Sequence, residues 1–107
     1  MQILVNTDHH LTGSEDVTAR VESVIGDFIE RFADRITRVE VFLSDVNGPK
    51  HGARDKRCVM EARVAGTAPV AASDEAPSLI EAIDGAGAKL ERALDHAFGR
   101  LQAARKS

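Results

Sequence analysis

The longest continuous pattern in this chain runs from Ala76 to Arg105, and its period is helical. At 100° per residue, Leu79, Ile83, Leu90, Leu94, Ala97, Phe98 and Leu101 fall on one side. Lys89, Arg92, His96 and Arg100 recur at spacings of three, four and four and form a second stripe. Glu91 and Asp95 lie on a third. A helix of this kind can pack on a sheet and still present cations to a partner.

The preceding segments supply that sheet. Gln2 to Thr7, with Ile3-Leu4-Val5, reads as a strand, and Asp8 to Gly13 is polar and turn-like. Ser14 is the expected N-cap of a helix whose first turn holds Glu15 and Asp16, favourable at its positive end. Val17, Val21, Val24, Ile25, Phe28 and Phe32 keep one helical face to about Arg35, with Glu22, Asp27, Glu30 and Asp34 opposite. From Thr37 the period changes to two: Val39, Val41 and Leu43 alternate with Arg38, Glu40 and Ser44, with Phe42 on the polar side. Val46 to Asp55 is a loop. Lys56 to Ala65 alternates again, Cys58, Met60, Ala62 and Val64 against Arg57, Glu61 and Arg63. Gly66-Thr67-Ala68 turns into a fourth strand from Pro69 to about Ser73.

The order β-α-β-β-β-α predicts an α+β fold. A right-handed crossover sets the first two strands parallel, and short connections make strands two to four an antiparallel meander. Both helices then pack on one face of a four-stranded mixed sheet. The other face carries Arg38, Glu40, Phe42, Arg57, Val59, Glu61 and Arg63, open to solvent or a partner. With 107 residues and no internal repeat or linker, residues 1–107 are expected to form a single domain.

Composition narrows the function. No long apolar run and no basic-apolar-small leader is present, so neither a membrane span nor secretion is expected. The single Cys58 cannot form an internal disulfide, which suits a reducing cytoplasm. A net charge of −3 argues against wholesale nucleic-acid binding by charge alone. The charge is uneven, however. Residues 1–49 hold nine acids and four bases, whereas residues 50–107 hold ten bases and eight acids, so an RNA-facing surface should come from the second half.

Candidate catalytic groups are few. Asp8-His9-His10 is similar to the motif of the DHH phosphoesterases, but the further acidic motifs and the longer chain those enzymes need are missing. His9, His10, His51, His96 and Cys58 share no zinc-ligand spacing, and Cys58 on a buried strand face is expected to be a small core hydrophobe. No Ser-His-Asp pattern, nucleophile elbow or P-loop occurs, and Gly85 and Gly87 inside a helix read as close-packing positions. No enzyme, cofactor, metal or small-molecule substrate is expected. The loop Lys50 to Arg57 holds four bases and one acid, as a solvated loop or a phosphate-contacting one would. Stacking on single-stranded RNA has poor support, since there is no Trp or Tyr and Phe42 alone sits on the open face.

The chain resembles the ribosome hibernation promoting factor family, which includes ribosome-associated inhibitor A and was once labelled sigma-54 modulation protein. Met1-Gln2-Ile3 is similar to the family's first strand and Ile36 to Leu43 to its second. Glu61 to Ala72, with Gly66 at the turn, is similar to its third and fourth. Ala82-Ile83-Asp84 followed by Lys89-Leu90-x-Arg92-x-Leu94 matches its final helix. The resemblance implies the same fold, and binding to small-subunit rRNA in the mRNA and tRNA channel, with translation blocked in stressed or resting bacteria. Lys89 and Arg92 carry over as rRNA-contact candidates. Arg100 joins them through the basic stripe, and Arg54, Lys56 and Arg57 through local charge. Asp95, His96 and Phe98 interrupt the family's usual dense run of bases, and Leu79-Ile80 replaces its aromatic before Ala-Ile-Asp. Without the family's C-terminal dimerisation domain, a short form is implied. The alternative expectation is an interaction module of the same fold that has lost ribosome binding.

Overall fold

The architecture comes from a computed structural model that describes residues 1–8, 15–32, 34–45 and 56–106, with side chains as far as Gly99. Strand β1 (Gln2–Thr7) precedes helix α1 (Glu15–Ile29), which tightens into a 3-10 turn over Glu30–Phe32. Strands β2 (Ile36–Asp45), β3 (Lys56–Val64) and β4 (Val70–Ala76) follow, and helix α2 (Leu79–Lys106) comes last. The sheet order is β1-β2-β3-β4, with β1 parallel to β2 and the other pairs antiparallel. This is the α+β arrangement that the periodicities predict.

Three boundaries differ from expectation, each for a local reason. Helix α1 stops at Ile29, short of Arg35. The 3-10 turn keeps Phe32 buried, and the Arg35 amide donates to the Phe32 carbonyl at 3.0 Å, which turns the chain toward β2. Strand β4 continues three residues past Ser73, because the ladder with β3 runs on to Lys56 opposite Ala76. Helix α2 starts at Leu79, after Pro77 and Ser78. Ser78 Oγ accepts from the Glu81 amide at 3.2 Å and its hydroxyl donates to Glu81 Oε2 at 3.1 Å, an N-cap in place of a helical Ala76. The expected cap at Ser14 and the Val46 to Asp55 loop lie outside the described residues, Asp45 itself ending β2.

The core lies between the sheet and the helices. Val39, Val41, Leu43, Cys58, Met60 and Ala62 point into it from the central strands. Val21, Ile25 and Phe28 of α1 meet them, as do Ile83, Ala86, Leu90 and Leu94 of α2. No described polar or charged residue is buried. Cys58 is part of this core, and burial pushes its thiol up to about 12, with the nearby Asp74 carboxylate adding to the shift.

Both glycines of α2 mark close approaches. A Cβ on Gly87 would overlap Val24 Cγ1, so the two helices meet there. A Cβ on Gly85 would overlap Asp74 Oδ2 and lie 2.7 Å from its Cγ, so α2 runs directly against β4. Between β3 and β4, Gly66 adopts φ +80° and the Thr67 amide donates to the Val64 carbonyl at 3.3 Å, as a type II turn requires.

Candidate nucleic-acid interface

Helix α2 has two charged flanks on either side of its buried stripe. The flank toward α1 is acidic, and each of its acids is matched. Arg20 of α1 clamps Asp84 with two bonds, Nε to Oδ1 at 2.8 Å and Nη2 to Oδ2 at 2.6 Å. The Arg20 guanidinium holds the Asp84 carboxyl below its ordinary value of 3.8, although partial burial opposes this. Arg31 reaches both Glu91, at 3.0 Å, and Asp95, at 3.0 and 3.2 Å. It also lies 5.0 Å from the centroid of Phe32, whose ring meets Phe98 edge-on at 4.8 Å. Asp95, which breaks the run of bases in the sequence, therefore faces α1 and is neutralised there.

The other flank is cationic, but its members differ. Arg92 is exposed and has no hydrogen-bond or carboxylate partner among the described residues. Lys89 is engaged: its Nζ lies 2.9 Å from Asp74 Oδ1 and 3.3 Å from the Ser73 carbonyl. It thus ties α2 to β4. His96 is exposed on the same flank, and the backbone of Arg100 continues the helix.

Of the remaining predicted contacts, Lys56 and Arg57 do not gather around Arg92. Arg54 lies outside the described residues. Lys56 and Arg57 are consecutive on β3 and so point to opposite faces of the sheet. Lys56 is on the helix side, 3.5 Å from Asp45 Oδ2. Arg57 is exposed on the open face, with no partner among the described residues. Lys56 pairs with Ala76, next to the start of α2, whereas Arg92 is about 20 Å further along the helix axis. Lys56, Arg57 and Arg92 are therefore not one cluster.

The open face has the composition expected, arranged in rows by the register. Phe42 lies opposite Val59, Glu40 opposite Glu61, and Arg38 opposite Arg63. Arg38 bonds Glu40 at 3.1 Å, and Arg63 lies 3.7 Å from Glu61. Two of the three arginines on this face are thus already paired.

The fold and these flanks define a class: a small α+β protein with a cationic helix flank over one sheet edge. The pattern of the family described as sigma 54 modulation protein / S30EA ribosomal protein matches residues 4–102, and the chain belongs to this family. A ribosomal subunit interface protein from Coxiella burnetii has a similar structure, with a TM-score of 0.76 and 15% identity over 92% of this chain and 99% of that one. The N-terminal domain of Thermus thermophilus Protein Y is also similar, with a TM-score of 0.68 and 23% identity over 86% of this chain and 93% of that one. No curated protein sequence matches the chain. The family is ribosome-associated. No helix among the described residues is long and apolar enough to cross a membrane.

Sequence reasoning missed Arg20 and Arg31, whose partners are 60 to 64 residues away. The available signal was complementarity: Arg20 of α1 and Arg31 of the 3-10 turn after it are cations, and the facing flank of α2 carries acids.

Proposed function

We propose that this protein binds the small ribosomal subunit in the cytoplasm through rRNA phosphates, occupying the mRNA and tRNA channel and holding translation off. The supporting observation is the segregation of charge on α2. Glu91 and Asp95 are turned toward α1 and matched by Arg31, which leaves the outward flank to Lys89, Arg92 and His96. On this reading Arg92 contacts a phosphate directly. Arg57, on the other sheet face, contributes only if the rRNA wraps around the β3 and β4 end.

The test is co-sedimentation of the purified protein with small subunits over a salt series. Arg92→Glu should weaken binding several-fold and flatten the log-log salt slope by about one for the lost phosphate contact. Arg92 has no partner among the described residues, so the variant should unfold like the parent. Undiminished binding would remove α2 as the contact surface. Lys89→Glu is less clean, because it also breaks the bond to Asp74.

A second reading, an interaction module without ribosome affinity, draws on one observation. Arg20, Arg31, Arg38, Lys56, Arg63 and Lys89 each have an internal carboxylate within 4 Å. Absence from ribosomal fractions of resting cells, even at low salt, would favour it.

A further inference from the structure

The two edges of the sheet are treated differently. Strand β4 is guarded: Asp74 and Glu75 lie on it, Pro69 precedes it, and the Lys89 ammonium covers the Ser73 carbonyl at 3.3 Å. These are the features that stop an edge from pairing with another strand. Strand β1, the other edge, has none of them. Gln2–Thr7 contains no charge and no proline, and its register with β2 is continuous with no bulge. Among the described residues, no backbone hydrogen bond reaches its outer side. Ile3 and Val5 lie on the core face and Leu4 on the open face, yet all three are only partly buried, whereas Val39 and Val41 beside them are fully buried.

We propose that β1 is a self-association edge, at which two copies pair β1 antiparallel to β1 about a two-fold axis through Leu4. The partner is a second copy because the strand suits itself. With no charge between Gln2 and Thr7, bringing it against its own copy opposes no like charges. An axis normal to the sheet keeps both pairs of helices on one face, so residues of equal parity must meet. Leu4 then meets its mate on the open face, Ile3 meets Val5 on the core face, and Gln2 meets Asn6. The pairing joins four strands from each copy into one sheet and completes the burial of Ile3 and Val5. It uses neither Arg92 nor Lys89 and is independent of ribosome binding.

The test combines sedimentation equilibrium with a register-specific cross-link. The full chain should show a concentration-dependent dimer approaching the millimolar range. Leu4→Lys, which sets two ammonium groups face to face at the axis, should raise the dissociation constant by about tenfold or more. Ala71→Lys, on the opposite edge, should leave it unchanged. Under mild oxidation Leu4→Cys should form a disulfide-linked dimer. Asn6→Cys should not, because its copies would lie about 13 Å apart along the strands. The native Cys58 is fully buried and does not compete. A monomer at every concentration, a dimer indifferent to Leu4→Lys, or equal cross-linking at both cysteines would overturn the proposal. Should Leu4→Lys fail to fold, the cysteine pair decides alone.

Discussion

Replacing Gly85 with alanine sets two opposing effects against each other. Helix propensity alone favours the change by about 1 kcal/mol, because glycine is the costlier residue inside a helix. The packing opposes it. The new methyl would overlap Asp74 Oδ2, lie 2.7 Å from its Cγ and 3.1 Å from its Cβ. Rotating the carboxylate relieves the first two contacts but not the third, since Asp74 Cβ is fixed by the β4 backbone. The helix must move off the strand by a few tenths of an ångström, and overpacking of this kind costs about 1–3 kcal/mol. Turning Asp74 away also breaks its 2.9 Å bond to Lys89, a partly exposed pair worth about 0.2–1 kcal/mol. The balance is a net loss of about 1–2 kcal/mol. Urea unfolding should show this as a lower midpoint with an unchanged slope. Gly99→Ala provides the internal reference, since a Cβ there meets nothing within 4 Å, and it should gain close to the full propensity term. Adding Asp74→Ala to Gly85→Ala should restore most of the loss, a coupling that a double-mutant cycle measures directly. If Gly85→Ala stabilises the protein as Gly99→Ala does, the close approach of α2 to β4 is wrong.

Three further outcomes follow from the charge pairs and the core. Arg31→Ala leaves Glu91 and Asp95 unmatched and removes the cation over Phe32; it should cost about 1 kcal/mol in urea unfolding and also weaken ribosome binding without removing a contact. Asp84 has its folded pKa depressed by Arg20, so its contribution is present above the ordinary value of 3.8 and is lost as pH falls through the lower folded value. Melting curves should therefore separate the parent from Asp84→Asn at neutral pH and converge in acid. Cys58, buried and with its thiol raised to about 12, should react with a thiol reagent only as fast as the protein opens, so labelling at neutral pH should accelerate with urea.

The fold was readable because its signals are periodic and local. Val39, Val41 and Leu43 alternate with Arg38, Glu40 and Phe42, and every inward member is buried as the alternation requires. Boundaries were less readable where a tertiary contact decides them. Asp74 and Glu75 look like the end of a strand, and β4 continues through them while Asp74 is held from across the helix by Lys89. The candidate site was the least readable. Lys89 and Arg92 look equivalent in a helical projection, yet one lies over β4 and the other faces solvent. That distinction depends on which side of α2 the sheet edge passes, which no local pattern records. The separation of Lys56 from Arg57 needed only the strand period, and grouping them by charge alone obscured it.

Lys89 has a further consequence, because it is both a tether and a candidate contact. A phosphate arriving at its ammonium finds the position already taken by Asp74 and the Ser73 carbonyl. Contact there would be an exchange of partners, and its yield in affinity would be only the difference between two anions. The exchange would also uncover the Ser73 carbonyl, so the guarded edge would open only while the polyanion is bound. A substitution at Asp74 that releases Lys89 in advance would then tighten the complex while leaving the free protein with a less guarded strand.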